Sequence, residues 1–387
     1  MKLCNFRPLC WLALIVVSAI GSAMLSAQCA LVMAVVLCVV LWFAKVPDEF
    51  KIVVLTVFGV AVLSYVLTTC LVPNPYYHTY DPNAGLRGVV RGYVRWYLPM
   101  FLSTDNANLI YAMLFGDKSA LTWGLRNDFS ASGLAHMLAV SGLHVGLLFW
   151  VVSTLLKVCR VPRRAHVWIV APLLIFYAYL CGWQYAVMRA VIMCLVYAAA
   201  KRNLRVADPL SVLSLAAIII LLIFPYALVS VSFLLSFACV LGIILWYQTV
   251  YRVIPSQVVA MYVAVTLGSL PFVVYFFGAV PVLGIVTNVI LVPLLVLSFY
   301  LGMFAVSTFV CGAVLWLAEP LLNFVRWITR AIGQLPWATI HVSHSFPAVV
   351  VYLLGSLILS RFVFLKPKVK YSLAAVLFTC YLVFLVV

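Results

Sequence analysis

The sequence predicts an all-α membrane protein: a polytopic transmembrane helical bundle of roughly 13 spans with broken or re-entrant helices. Apolar residues make up 67% of the 387 residues and charged residues only 8%, unlike the composition of soluble domains. Uncharged apolar runs reach the ~20 residues that a helix needs to cross a bilayer. They lack the alternation of membrane barrel strands, so helices must satisfy the backbone hydrogen bonds of this chain in lipid.

The apolar runs give the positions of these spans. Residues 1–71 form N-terminal transmembrane helices, with a two-span hairpin in Leu9–Ala44 and a third span in Ile52–Leu71. The remaining spans belong to residues 105–387. They are Ser132–Leu156, Val167–Cys181, Gln184–Ala200, Pro209–Phe224, Leu228–Tyr251, about three in Val253–Ala318 with breaks near Pro281 and Pro293, Phe346–Ser360 and Tyr371–Val387.

The distribution of Lys and Arg orients the spans. If the N-terminus is cytoplasmic, alternation places most of the 24 Lys and Arg residues on the cytoplasmic side, as the positive-inside rule requires. The same alternation places the C-terminus outside the cytoplasm. Topology therefore explains most of the net charge of +16, and anionic lipid or a polyanionic substrate are further reasons for such an excess.

Residues 72–104 are predicted to form an extracytoplasmic linker and an amphipathic helix. The linker is rich in Pro, Asn and Tyr, and the helix carries a basic residue every four positions, at Arg87, Arg91 and Arg95. Such a helix can lie in the membrane interface. Alternatively, the three arginines form a basic outer mouth that gathers a polyanion at a pore. A short helix over Asn106–Gly116 is predicted next.

The span Ser132–Leu156 carries three polar side chains: His136, Ser141 and His144. In one continuous helix they would share an arc of about 140°, facing a cavity or the bundle interior. Alternatively, the chain unwinds near Ser141, or the histidines bond neighbouring carbonyls. Ser141 and His144 also suggest an intramembrane hydrolase, but no intramembrane carboxylate is available to orient the base.

Three other polar residues lie in or beside apolar spans. Arg189 needs an anion, carbonyl oxygens or water around its guanidinium. Asn288 precedes Pro293 in a stretch that we expect to be broken where it lines protein or water. Asp208 and Pro209 have the pattern of a helix start, with Asp as N-cap and Pro in the first turn.

No sequence motif indicates a cofactor, a metal site or a catalytic residue. The 11 Cys residues lie mostly in apolar runs, without CxxC or zinc-ligand spacing. A P-loop, a dinucleotide fingerprint and HExxH are also absent from the sequence. We therefore expect a protein that is not an enzyme and binds no cofactor.

Two successive motifs resemble the competence domain of the ComEC family of DNA-uptake membrane proteins. The first is LFGDKS at Leu114–Ser119 and the second is GLAHMLAVSGLHVG at Gly133–Gly146. Weaker matches follow in the order of the family, at Met188–Ala190, Asp208–Leu210, Ser232–Phe237, Val240–Gly242 and Thr287–Pro293. The family motifs assign importance to five further residues: Gly116, Asp117, Gly142, Asp208 and Ser236. One departure is Leu234, which stands where the family commonly has Gln.

The resemblance implies an inner-membrane channel that passes single-stranded DNA into the cytoplasm during natural transformation, with residues 105–387 as its competence-type core. The passage would be lined or shaped by His136, Ser141, His144, Arg189 and Asn288. Expected partners are single-stranded DNA and membrane lipid. The OB-fold and metallo-β-lactamase-like nuclease domains of longer relatives are not found in this chain. We therefore also expect a separate nuclease, an OB-fold DNA-binding protein and a cytoplasmic DNA motor.

Two other functions stay open at this point. A secondary transporter would share broken helices and a midplane arginine, but it should carry inverted repeats, which the sequence does not display. An intramembrane hydrolase would use Ser141 and His144. The sequence does not specify an oligomeric state.

Overall fold

The computed structural model describes residues 8–43, 48–71, 85–202, 206–308, 312–342 and 346–359. Within these ranges the chain is helical almost throughout, with one small antiparallel sheet of strands β1 (Ala279–Pro281) and β2 (Thr339–His341). The helices are α1 (Pro8–Leu25), α2 (Ala27–Phe43), α3 (Asp48–Leu71), α4 (Gly85–Tyr97), α5 (Thr104–Phe115), α6 (Trp123–Ala131), α7 (Gly142–Val158), α8 (Arg163–Leu180), α9 (Tyr185–Arg202), α10 (Pro209–Ile223), α11 (Val231–Val253), α12 (Gln257–Phe277), α13 (Gly284–Thr308), α14 (Leu315–Gly333) and α15 (Phe346–Leu359).

Apolar helices dominate the structure, which confirms the all-α prediction. Within the described ranges, five helices are long and apolar enough to cross a membrane: α1, Glu49–Cys70 of α3, α11, α12 and α13. Five more stretches are apolar but shorter: Ala27–Leu41, Gly142–Val158, Ala165–Leu180, Pro209–Ile223 and Pro347–Ser356. The predicted number of roughly 13 spans is therefore not confirmed. The predicted span Tyr371–Val387 and most of the linker after Leu71 lie outside the described residues.

The stretch Val253–Ala318 corrects one part of the prediction. We expected about three spans with breaks at two prolines, but the described part of this stretch contains two long helices, α12 and α13, before α14 begins. Pro281 does interrupt the helices, since it ends β1. Pro293 lies inside α13 without ending it, because a proline removes only one backbone hydrogen bond and neighbouring helices in a membrane bundle compensate for that loss.

Contacts between helices divide the chain into two compact units. Unit 1 comprises Met1–Asp81 and Val145–Leu234, and unit 2 comprises Pro82–His144 and Leu235–Val387. This division follows packing. The functional division predicted from sequence, with boundaries after residues 71 and 104, stays a prediction.

In unit 1, α1 packs against α2, α3 and α10, and its residues Val16, Ala19 and Ile20 have no solvent exposure. The start of α10 has the predicted cap: the Asp208 carboxylate accepts hydrogen bonds from the Ser211 backbone N–H (2.9 Å) and hydroxyl (2.7 Å). This cap satisfies backbone groups that a helix end would otherwise leave unpaired.

In unit 2, α13 packs against α5, α12 and α14. The α5 helix is buried along most of its length. Polar side chains of α14 bind the N-terminal half of α5. Arg326 forms an ion pair with Asp105 and donates a hydrogen bond to the Asn106 side chain at 3.2 Å. Asn106 in turn donates a hydrogen bond to Asn323 at 2.8 Å. Asn106 has no solvent exposure, so this network fixes α5 against α14.

A proline in α12 is compensated by α15. Pro271 has no N–H, and the Leu267 carbonyl one turn earlier therefore lacks its usual helical donor. The Tyr352 hydroxyl donates a hydrogen bond to that carbonyl at 2.8 Å. This bond joins α15 to α12 and explains how α12 continues through its proline in an apolar environment.

Candidate functional site

The predicted span Ser132–Leu156 is an α-helix only in its second part. After α6 ends at Ala131, the chain makes a 3-10 turn at Ala135–Leu138, and α7 begins at Gly142. We call residues 132–141 the helix break. The predicted common helical arc of His136, Ser141 and His144 is therefore wrong, and the alternative of an unwound segment is confirmed.

The new helix begins at Gly142 because a histidine side chain takes over a backbone hydrogen bond. The Ser141 N–H donates to Nδ1 of His144 at 3.2 Å, and the His144 N–H donates to the Ser141 carbonyl at 3.1 Å. Side chain and backbone of His144 thus cap the first turn of α7. In a continuous helix the Ser141 N–H would donate to a backbone carbonyl of the preceding turn, and this reciprocal pair would not form.

One end of the helix break is fixed to the N-terminus of α13. The Thr287 hydroxyl donates to the Ser132 carbonyl at 2.6 Å. Gly133 has a φ of +76°, and a Cβ at this position would lie 2.9 Å from Cα of Gly284 and 3.2 Å from Cγ of Pro281. Only glycine fits both this backbone conformation and this contact.

Beyond the other end of the break, the first turn of α7 contacts the C-terminal half of α13. The imidazole of His144 stacks on Phe299, with ring centroids 4.3 Å apart and an interplanar angle of 23°. A helix rises 1.5 Å per residue, so Thr287 and Phe299 are about 18 Å apart along α13. The segment between the two contacts therefore follows α13 across about half of a bilayer's hydrocarbon core.

Unpaired polar atoms belong to His144 and to two residues of α13 that follow Thr287 and Phe299 in sequence. Nε2 of His144, Oδ1 of Asn288 and the Tyr300 hydroxyl are buried, and no group in the described ranges forms a hydrogen bond with them. Because Nδ1 of His144 accepts the Ser141 N–H, Nε2 carries the proton and is a buried donor. Buried polar atoms of this kind are costly unless water or a ligand reaches them.

His136 and Ser141 are more accessible than His144. The side chain of His136 is exposed and its Nδ1 lies 3.2 Å from the Gly133 carbonyl, while Ser141 is half-buried. His144 has no exposure at all. From the helix break to the first turn of α7, these polar side chains thus pass from the surface to the interior and do not form one solvent-exposed face.

The geometry of Ser141 and His144 does not favour nucleophilic catalysis. The Ser141 hydroxyl is 3.5 Å from Nδ1 of His144, beyond the usual distance for a nucleophile and its base. That same nitrogen already accepts the Ser141 N–H. In the described part of the chain, no group of three or more His, Cys, Asp or Glu residues could hold a metal ion.

A tight loop, residues 116–122, precedes α6 and carries the last four residues of the first sequence motif. Gly116 has a φ of 73° and ends α5, donating its N–H to the Ala112 carbonyl at 2.7 Å. The predicted helix before Asp117 is thereby confirmed. The Asp117 carboxylate accepts the Ser119 N–H at 2.9 Å, so glycine and aspartate together shape the turn.

Charges from α4 act on this loop. Burial would raise the pKa of Asp117, but the hydrogen bonds from Ser119 and the positive charges of Arg91 and Arg95 lower it below its usual range. The Arg91 guanidinium also donates to the Phe115 carbonyl at 3.1 Å and lies 5.2 Å from the centre of that ring. Arg91 therefore connects α4 to the end of α5.

The three arginines of α4 are not equally accessible to a polyanion at the predicted outer mouth. Arg87 and Arg91 are 8% and 3% exposed. Only Arg95 is exposed, with its guanidinium 5.4 Å from the centre of the Tyr111 ring. A role of this helix in gathering a polyanion stays a prediction, and it now depends mainly on Arg95. The apolar residues Leu86, Val89 and Trp96 are exposed, as expected for an interfacial helix.

The remaining predicted residues lie in α9, at the start of α10 and in α11. Arg189 of α9 is 7% exposed and belongs to unit 1, where Asp208 caps α10. Ser236 lies in α11, half-buried. Sequence reasoning missed Thr287 and Phe299. The position of Thr287 beside Asn288 gave a hint, but an aromatic residue in an apolar helix gives none.

The chain is similar to bacterial competence proteins. Residues 113–368 match a family described as Competence protein. Competence protein ComA of Neisseria gonorrhoeae is 30% identical over 239 residues, which is 58% of this chain and 34% of that protein. ComE operon protein 3 of Bacillus subtilis is 29% identical over 197 residues, 50% of this chain and 25% of that protein.

A third relative extends the comparison. Recombination protein 2 of Haemophilus influenzae is 30% identical over 154 residues, 37% of this chain and 19% of that protein. The alignments with these three proteins thus cover at most 34% of a relative's own length. No solved structure matches the chain.

Proposed function

This chain belongs to the Competence protein family, and on that premise we propose that it is a channel passing single-stranded DNA across the inner membrane into the cytoplasm during natural transformation. One observation carries the proposal: the helix break and the first turn of α7 together follow α13 across about half the depth of a bilayer. Irregular backbone at such depth is tolerated only where it is enclosed by protein or lines a water-filled cavity.

The chemistry of the helix break suits a sliding polyanion. A strand must enter and also leave, which favours neutral polar groups over a dense ring of cations. His136 and Ser141 offer such groups near the surface, and His144 and Asn288 offer buried ones. Since His144 is fully buried against Phe299, a strand reaches it only if the helix break moves away from α13.

The resemblance to longer relatives extends the proposal to location and partners. We place the N-terminus in the cytoplasm and the C-terminus outside it, because this orientation satisfies the positive-inside rule. A separate nuclease, an OB-fold DNA-binding protein and a cytoplasmic DNA motor would supply strand degradation, capture and pulling. Arg189 is 7% exposed within unit 1, and its role as a channel-lining or a structural residue stays a prediction.

Replacing Ser141 by alanine separates the channel from an intramembrane hydrolase. In a channel, loss of one neutral hydroxyl costs about 0.5–1.5 kcal/mol, so we expect uptake to fall less than about tenfold. A hydrolase that lost its nucleophile would lose activity on the order of 10⁶-fold. The measurement is internalisation of labelled DNA in a strain that lacks the chromosomal gene and carries the variant.

The deletion strain itself is the control for this experiment. We expect deletion to prevent entry of labelled DNA into the cytoplasm and the wild-type gene to restore it. Unchanged internalisation in the deletion strain, with no second copy of the gene present, would contradict the proposed function. Uptake abolished by Ser141→Ala at normal protein level would favour the hydrolase instead.

A further inference from the structure

The loop of residues 116–122 holds a lysine in a defined position beside the helix break. The Arg126 guanidinium donates to the Lys118 carbonyl, and the Leu121 N–H donates to the same carbonyl at 3.0 Å. The Asn108 side chain donates to the Ala120 carbonyl at 3.3 Å. Three hydrogen bonds from three parts of the chain thus fix the turn that carries Lys118.

Lys118 has a positive neighbour, Arg126, and no acidic partner in the part of unit 2 that the structure describes. Its side chain is half-buried, and its pKa is lowered by burial first and by the charge of Arg126 second. The adjacent carboxylate of Asp117 is engaged by Ser119 and influenced by Arg91 and Arg95 instead. A half-buried ammonium beside another cation is unfavourable unless an anion joins them.

His136 connects this cation pair to the helix break. Lys118 is near enough to act electrostatically on His136, whose side chain is exposed. The exposed imidazole can donate a hydrogen bond to an anion that Lys118 and Arg126 attract. These groups therefore lie where an anion would approach the helix break from the surface.

An aromatic face accompanies the cations. Trp123 is 80% exposed and precedes Arg126 by one turn of α6. Cations that follow a phosphate backbone, together with aromatic rings on which bases stack, are the combination that binds single-stranded nucleic acid without sequence preference. A lipid phosphate shares the phosphodiester chemistry but offers no base to stack on the ring.

We propose that Lys118, Arg126 and His136 form a phosphodiester-binding subsite for single-stranded DNA at the entrance to the helix break, with Trp123 stacking on a base. This inference rests on the proposed function and deepens it. It gives the loop of the LFGDKS motif a role in binding, and it places the first firm contact with the strand outside the apolar spans.

The test uses the purified full chain in nanodiscs of zwitterionic lipid and a fluorescent 20-nucleotide oligo-dT. Binding is measured by anisotropy over a range of salt concentrations. A phosphate contact with single-stranded DNA contributes about 0.7 to the slope of log affinity against log salt. We expect the double variant Lys118→Gln/Arg126→Gln to reduce this slope by about 1.4. Trp123→Ala should weaken binding about five- to a hundredfold with little change in slope.

Lys157→Gln is the matched control, because it removes an exposed lysine at the end of α7. It should leave both slope and affinity close to the wild type. Unchanged slopes in the double variant would overturn the subsite. The subsite would also be overturned if the double variant bound vesicles containing phosphatidylglycerol more weakly than the wild type but kept full affinity for oligo-dT. The phosphate bound at this place would then belong to a lipid.

The result also distinguishes this subsite from the proposed function. If the double variant binds oligo-dT normally while gene deletion still blocks uptake, the subsite is wrong and the channel stands. If the wild-type protein neither binds oligo-dT nor is needed for uptake, the proposed function itself fails.

Discussion

Gly133→Ala is expected to destabilise the protein and to abolish DNA uptake. The new side chain would force an L-residue into a left-handed conformation at φ +76°, which costs about 1–2 kcal/mol. Its Cβ would also lie 2.9 Å from Cα of Gly284, and crowding of this kind costs a further ~1–3 kcal/mol. Because the clash involves two backbones, a side-chain rotation cannot relieve it.

Thermal unfolding in detergent and DNA internalisation are the two measurements for this prediction. Gly146→Ala is the matched control, since a Cβ on Gly146 in α7 would meet no atom within 4 Å. Alanine in a helix should even stabilise by about 1 kcal/mol. A Gly133→Ala protein with wild-type melting temperature and uptake would show that the close contact with Gly284 does not hold the helix break in place.

A second large effect is expected where α11 crosses α12. A Cβ on Gly242 would lie 2.5 Å from the Ala264 carbonyl oxygen and 2.7 Å from Cα of Gly268, and a Cβ on Gly268 would lie 2.5 Å from the Ala238 carbonyl oxygen. Such contact between small residues is a main source of helix association in lipid. Gly242→Ala and Gly268→Ala should each lower the free energy of unfolding by about 1–3 kcal/mol.

The double variant provides a sharper version of this test. Once one alanine has separated the helices, the second has less contact left to disrupt. The double variant should therefore lose less unfolding free energy than the sum of the two single losses. Gly59→Ala in α3 is the control, because nothing lies within 4 Å of its Cβ position. If the losses of unfolding free energy were fully additive or negligible, the two glycines would not belong to one contact between α11 and α12.

Sequence reasoning succeeded where local chemistry decides the structure. The Asp208–Pro209 helix start, the end of the short helix at Gly116 and the amphipathic helix with the arginines follow from caps, turn residues and periodicity, and the structure has all three. These features depend on neighbours within a few residues of the same chain segment.

Sequence reasoning failed where packing between distant segments of the chain determines the local structure. Hydropathy cannot distinguish a continuous helix from the helix break, because the break is stabilised by Thr287 and Phe299 from α13. Nor did the spacing of the α4 arginines reveal that Arg91 would be buried against Phe115. Periodicity identifies a face, but only the fold determines what that face contacts.

The central claim is that the helix break borders water. It is tested most directly by single cysteines in a protein whose 11 native Cys residues have been replaced, with a charged, membrane-impermeant thiol reagent applied to membrane vesicles of both orientations. Phe304→Cys in α13 is the control for exposure to lipid, since Phe304 is 50% exposed in an apolar span.

We expect His136→Cys and Ser141→Cys to react rapidly, with His136→Cys the faster of the two, and single-stranded DNA to slow both reactions. Phe304→Cys should stay unreactive, because a thiol surrounded by lipid does not form the thiolate that reacts. If both positions in the helix break reacted no faster than Phe304→Cys from either side of the membrane, the break would be sealed from water and the channel account would be contradicted.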